Sequence, residues 1–160
     1  LLDGQLRVYG LATRQVRNVK WGLFADDIER VGRREAPLKW RANGGFDWTR
    51  GRTSFGANLQ YFSKYRIYEP GLPEFLEEQI AEFQGGKSVE SQVYLDLYAT
   101  RRFELSGSGP VREGQVDLGI VNLLDKKPPR ESNFAFLGPG YSSYGDPRLR
   151  RVELTLSLAY

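Results

Sequence analysis

The last ten residues set the pattern for the whole chain. From Arg151 to Tyr160, Val152, Leu154, Leu156, Leu158 and Tyr160 fall on one side, and Arg151, Glu153, Thr155, Ser157 and Ala159 on the other. A period of two over that length predicts a β-strand with one wholly apolar face. The alternation recurs upstream. In 6–13, Leu6, Val8, Gly10 and Ala12 oppose Arg7, Tyr9, Leu11 and Thr13. In 38–48, Leu38, Trp40, Ala42, Gly44, Phe46 and Trp48 oppose Lys39, Arg41, Asn43, Gly45 and Asp47. Further strands are predicted at 53–65, 91–103 and 115–121, which makes about six with the last.

The connections sort by length. Three long ones, 16–36, 69–90 and 124–150, alternate with short turns at 49–52 and 104–114. The first long one is polar, with Asp26, Asp27, Glu29, Arg30, Arg33 and Arg34, and reads as a loop with a helical turn near 26–31. The second holds an amphipathic helix. Leu72, Phe75, Leu76, Gln79, Ile80 and Phe83 follow three-four spacing among glutamates, with Pro73 suited to the first turn and Gly85-Gly86 to the stop. In an up-and-down antiparallel sheet this rhythm puts every long connection at one end. That asymmetry is the habit of outer-membrane barrels.

The fold class expected is therefore all-β, an antiparallel up-and-down transmembrane β-barrel segment with long extracellular loops and short periplasmic turns. Trp40 and Trp48, eight residues apart on one face, would lie about 26 Å apart along a strand. Allowing for tilt, that is near the ~25 Å apolar band with its aromatic rims. Lys39, Arg41, Asp47, Asn58, Gln60, Tyr94, Asp96, Arg102, Asp117 and Glu153 would be lumen-facing. About six strands are too few to close a barrel, and an open edge in lipid is forbidden, so the barrel is incomplete. The same two tryptophans equally suit the core of a soluble β-barrel or sandwich ligand-binding module, which stays open as the alternative.

Composition narrows the chemistry. No apolar run approaches the ~20 residues of a membrane helix, and the mean hydropathy is −0.50, but membrane barrels evade that test because their inward faces are polar. The net charge of +3 comes from 23 Lys and Arg interleaved with 20 Asp and Glu, with no polybasic tract, so nucleic acid is not an expected partner. Cys and His are both absent, which removes thiolate zinc sites and Ser-His or Cys-His catalysis. The pairs Asp26/Asp27 and Glu77/Glu78 read as solvated loop charge. No enzyme, cofactor or metal site is expected. The third long loop carries Phe134, Phe136, Tyr141 and Tyr144, whose rings offer stacking faces for a ligand. Met is absent even at position 1, so the sequence reads as a processed or excised piece with any export signal upstream.

Three ordered motifs carry a resemblance. Pro37-Leu38-Lys39-Trp40-Arg41-Ala42 followed by Phe46-Asp47-Trp48-Thr49-Arg50-Gly51 is similar to a strand pair near the end of TonB-dependent outer-membrane receptors. Val121-Asn122-Leu123-Leu124-Asp125-Lys126-Lys127-Pro128 resembles that family's penultimate-strand segment, with Leu124 where Phe is usual. Tyr144-Gly145-Asp146-Pro147-Arg148-Leu149-Arg150 resembles its lead-in to the last strand, with Leu149 where Gly is usual. The resemblance implies that residues 1–160 are the C-terminal portion of a barrel of about 22 strands with a plugged lumen. The plug domain and the earlier strands are absent from this stretch. The implied partners are outer-membrane lipid, the chain's own N-terminal strands and plug, the outer-membrane assembly machinery and the TonB energy-coupling protein. Val152, Leu154, Leu156, Leu158 and Tyr160 would form the C-terminal assembly signal. The implied function is energy-dependent uptake of a scarce solute, of siderophore, cobalamin or carbohydrate class, in the outer membrane of a Gram-negative cell.

Overall fold

The computed structural model describes residues 3–21, 27–68, 71–105, 111–132 and 140–159. In chain order its elements are β1 (Gln5–Arg14), β2 (Val19–Lys20), β3 (Ile28–Glu29), β4 (Trp40–Arg50), β5 (Thr53–Phe62), β6 (Tyr65–Arg66), α1 (Glu74–Gln84), β7 (Ser88–Val89), β8 (Gln92–Glu104), β9 (Glu113–Val121), β10 (Arg130–Glu131), β11 (Gly140–Tyr141) and β12 (Arg151–Ala159). The six long strands form one antiparallel sheet in the order β1-β4-β5-β8-β9-β12, each beside its neighbour in sequence. The sheet is open: β1 and β12 are its edges. The short strands pair into three two-stranded ribbons, β2 with β3, β6 with β7 and β10 with β11.

The predicted strands all appear, with small shifts of boundary. The strand expected at 53–65 stops at Phe62, and Tyr65 moves to the ribbon. The one expected from Leu38 starts at Trp40, which releases Leu38 to a buried site. Within the first long connection the expected helical turn is not formed by the described residues. Ile28 and Glu29 pair with Lys20 and Val19 instead, and Glu29 Oε1 accepts the Asn18 and Val31 N–H groups at 3.0 Å each. Asp26 lies outside the described residues.

Directly paired residues share a face of a sheet, so the register fixes both faces. The chain Arg7↔Asp47, Asp47↔Gly56, Gly56↔Tyr98, Tyr98↔Gly119 and Gly119↔Glu153 crosses all six strands on the polar side. One residue over, Val8↔Phe46, Phe46↔Ala57, Ala57↔Leu97, Leu97↔Ile120 and Ile120↔Val152 cross it on the apolar side. Each long strand has the 9–13 residues that α1, at 11, has too, yet the strands span far more because they are extended.

The apolar side is bare. Val8 is 72% exposed and Leu154 72%, and Leu6, Phe55, Leu59, Leu118, Val152, Leu156 and Leu158 are also exposed. The buried cluster lies elsewhere, in the long connections. Leu38, Tyr65, Ile67, Tyr68, Ile80 and Val89 form it, with Phe62, Leu72 and Tyr144 packed against it.

The helix belongs to this cap. Pro73 is its N-cap rather than its first residue, and Gly85 ends it at φ 78° with its N–H on the Glu82 carbonyl. A left-handed residue at that place favours glycine. Only Ile80 of α1 is buried, while Phe75 and Phe83 are exposed. Gln84 binds the helix end to the third long connection: its Nε2 donates to the Arg130 carbonyl at 2.8 Å and its Oε1 accepts the Ser132 N–H at 2.7 Å.

Candidate functional site

The polar face works as a ladder of cross-strand hydrogen bonds. Asn43 Nδ2 and the Tyr9 hydroxyl both donate to Asn58 Oδ1, at 2.9 Å and 3.3 Å. Gln60 Nε2 donates to Asp96 Oδ2 at 3.3 Å, and the Tyr98 hydroxyl donates to Asp47. The Thr100 hydroxyl donates to Asp117 Oδ1 at 2.6 Å, Gln115 Nε2 to Asp117 Oδ2 at 2.8 Å, and Arg102 Nε to Gln115 Oε1 at 2.9 Å. Glycine makes room for the rings. A Cβ on Gly56 would sit 2.6 Å from the Tyr98 ring of the neighbouring strand, so only glycine lets that tyrosine lie across the sheet to reach Asp47.

At the long-connection end the ladder joins the cap through one buried chain of polar groups. The Tyr94 hydroxyl donates to Gln92 Oε1 at 2.8 Å, and Gln92 Nε2 donates to Ser142 Oγ at 3.2 Å. Ser142 Oγ lies 2.8 Å from the Tyr65 hydroxyl, which donates to Glu131 Oε2 at 3.0 Å. Glu131 Oε1 then pairs with Arg34 Nε at 2.8 Å. The chain begins on β8 and visits all three long connections. Gln92 is fully buried, as befits a polar group whose amide finds partners on both sides. Burial, chiefly, raises the Tyr65 phenol well above its ordinary value, and the Glu131 carboxylate adds to that.

Tyr144 folds over the same end. Its ring lies 5.3 Å from Phe62 and 5.6 Å from Tyr65, with the Arg41 guanidinium 5.9 Å away, and burial raises its phenol too. Gly145 and Asp146, which follow it, line a cavity of about 240 Å³ with Gln60, Phe62, Tyr94, Asp96, Val121 and Asn122. A second hollow of about 280 Å³, lined by Leu11, Thr13, Arg41, Asn43, Gln60 and Phe62, shares two of those residues. Together they make a trough of amides, hydroxyls, two carboxylates and one guanidinium, with Phe62 common to both. Such a surface can hydrogen-bond a polar solute or a second polar protein surface.

The two C-terminal motifs build the trough's far wall. Asn122 is buried at φ 53° and closes a turn on itself: its Nδ2 donates to the Lys126 carbonyl at 2.9 Å and its Oδ1 accepts the Lys126 N–H at 3.0 Å. Its own N–H donates to Asp96 Oδ1 at 2.8 Å. Asp125 Oδ1 accepts the Arg150 N–H at 3.0 Å, which ties this turn to the start of β12. Asp146 holds Arg148 by two oxygens, at 2.8 Å and 2.9 Å, and also Arg151. Those guanidinium contacts, Arg148 first, hold the Asp146 carboxyl well below the usual carboxylate range. Gly145, at φ 120°, passes so close to Tyr94 that a Cβ would sit 2.2 Å from its hydroxyl.

The structure distributes the sequence-predicted residues unevenly. Arg41, Asp47, Asn58, Gln60, Tyr94, Asp96, Arg102, Asp117 and Glu153 fall on the polar face by register. Lys39 lies outside β4 and lines a groove in the cap. Val152, Leu154, Leu156 and Leu158 alternate along edge strand β12. Of the loop aromatics, Tyr144 is packed against Phe62 and Tyr65 and Tyr141 is exposed on β11. Phe134, Phe136 and Tyr160 lie outside the described residues. Sequence reasoning missed Arg34, Tyr65, Gln92, Glu131 and Ser142. Only the alternation Lys64-Tyr65-Arg66-Ile67 signals that one of them is buried; the rest are ordinary polar letters that meet across long sequence distances.

The fold itself defines the class that can be stated, a mostly β chain with, among the described residues, an open six-stranded antiparallel meander and one short helix. Comparison adds no relative: no family model matches the chain, and neither a curated protein nor a solved structure matches it significantly.

Proposed function

We propose that this chain is the C-terminal part of the β-barrel of a TonB-dependent outer-membrane receptor, taking part in energy-dependent uptake of a scarce solute. The observation that carries the reading is the sheet's two-sidedness. One face is apolar over six strands, exposed along β1 and β12 and at Phe55, Leu59 and Leu118, and the other is polar, with cross-strand side-chain hydrogen bonds from β1 to β9. A soluble protein rarely exposes a contiguous apolar patch of this kind, whereas a membrane barrel wants apolar residues outward and polar residues inward. Strand lengths of 9–13 residues also suit a tilted crossing of the bilayer core.

On this reading β1 and β12 find their outer neighbours in strands of the parent barrel, since neither edge can stay open in lipid. The polar face lines the lumen and meets the plug, and the capped end faces outward to the solute. Tyr141, exposed on the third connection, is the ligand-contact candidate among the described residues, because Tyr144 already spends its ring on Phe62 and Tyr65. Fractionation of cells expressing the parent chain tests the reading. It predicts recovery in the outer membrane with heat-modifiable migration on gels; recovery in the soluble fraction refutes it and favours a soluble ligand-binding module.

A further inference from the structure

We infer that the groove beside the β6–β7 ribbon is a binding site for the phosphate groups of a membrane lipid headgroup. The inference rests on the membrane reading above and adds a ligand class to a place that reading leaves unused.

The groove encloses about 440 Å³ and is lined by Lys39, Lys64, Arg66, Lys87, Gly32 and Ser88, together with Val31 and Tyr65. Four of these are cations and none is a carboxylate. All four are exposed, and among the described residues none of them makes an ion pair. This contrasts with the chain as a whole, where 23 cations are interleaved with 20 anions. Arg33 stands close by, bridged to Arg66 through the backbone with its guanidinium 5.9 Å from the Tyr68 ring. Like charges held in one hollow repel, and an anion that enters it gains from all of them at once.

The fold holds these cations rather than leaving them on free loops. The backbone alternates between buried Ser63, Tyr65 and Ile67 and exposed Lys64 and Arg66. Buried Tyr65 and Ile67 anchor the strand in the cap core and thereby turn Lys64 and Arg66 outward. The Arg66 N–H donates to the Gly32 carbonyl at 2.9 Å, which fixes the first connection against the second. Ser88, opposite Arg66, supplies a hydroxyl. Guanidinium, ammonium and hydroxyl donors converging without a competing acid make a phosphate site.

Position selects the source of the phosphate. Lys39 directly precedes Trp40, the exposed aromatic that ends the apolar face on β4, and Lys64 directly follows Ser63, whose N–H donates to the Trp40 carbonyl at 3.1 Å. Apolar strand, rim tryptophan and cation cluster therefore follow one another within a few residues. That is the order of acyl chain, interface and headgroup in a bilayer.

The test uses the full chain in neutral detergent, with native mass spectrometry and titration calorimetry as readouts. The probes are dihexanoyl phosphatidic acid, dihexanoyl phosphatidylcholine and inorganic pyrophosphate. The expected result is phosphatidic acid binding at least tenfold tighter than phosphatidylcholine or pyrophosphate. That preference is reduced at least tenfold in both K64E/R66E and the milder K64Q/R66Q, with β-sheet circular dichroism unchanged. Pyrophosphate binding as tightly as the lipid overturns the lipid assignment. No variant-sensitive binding of any probe overturns the site. Insertion of the parent chain into phosphatidylcholine vesicles, scored by protease protection, is measured in parallel. Its failure with lipid binding retained strikes the barrel reading and leaves the groove standing.

Discussion

The cap and the last strand invert each other. In the cap, the connections of a β-protein hold its most buried apolar side chains, Ile67 at 1% and Val89 at 1% exposed, and a hydrogen-bonded chain from Tyr94 to Arg34 runs through them. In β12, a regular strand of the main sheet, residues from Val152 to Ala159 are all exposed, the leucines included. A soluble β-protein does the opposite, with strands burying apolar residues and connections staying wet. On the proposed reading, the strands' apolar side chains are written for a solvent other than water, while the cap is written for water and has its own core.

Charge on β12 breaks the comparison most sharply. Leu156→Arg and Thr155→Arg differ by one position and by face. If lipid meets the apolar side, the first should cost about 2–4 kcal/mol in vesicle insertion and the second close to nothing. Urea unfolding of the inserted chain measures both, and equal costs would erase the distinction between faces. In the cap, Ile67→Ala removes a fully buried side chain and should cost about 2–4 kcal/mol. Hydrogen exchange should show the cap opening while the β4–β5 and β8–β9 amides stay protected.

A smaller loss is expected from Ser142→Ala, which leaves the Gln92 amide and the Tyr65 hydroxyl short of a partner. About 1–3 kcal/mol follows from an unsatisfied buried polar group. Alkaline titration sharpens the same contact. The Tyr65 phenol has a raised folded value, so its contribution is fully present below the ordinary tyrosine range of about 10 and is lost as pH rises above it. The cap of the wild-type chain should loosen above that pH and the Tyr65→Phe cap should loosen less, since Tyr144 and Tyr94 are raised by burial too; identical alkaline profiles would contradict a buried neutral phenol at Tyr65.

The smallest effect concerns Leu149, which sits at φ 65°, a left-handed conformation that a branched side chain adopts at a cost. Leu149→Gly should be neutral to stabilising by up to about 1 kcal/mol, since relief of strain is partly offset by glycine's greater freedom in the unfolded chain.

How much was legible follows the range of the forces involved. A period of two is local, so the six strands, their faces and their order could be read to within a few residues. The pairing of β12 with β9 followed from the same up-and-down logic. The cap could not be read in this way. Leu38, Tyr65, Ile80 and Tyr144 come from three connections and become neighbours only once the strands have paired. Ser142 and Gln92 carry no pattern of their own. By sequence Ile28 and Glu29 fall in an expected helical turn, and their pairing with Lys20 and Val19 overrides it.

The central claim is that the sheet's apolar face contacts lipid, and the absence of native cysteine makes it directly measurable. Single cysteines at 152, 153, 154, 155, 156, 157 and 158 can each carry a spin label in the parent barrel reconstituted in phosphatidylcholine vesicles. Collision with oxygen, which concentrates in lipid, is then compared with collision with a water-soluble nickel complex. The account predicts strict alternation, with oxygen favoured at 152, 154, 156 and 158 and nickel at 153, 155 and 157. Uniform access by nickel along the strand would contradict it.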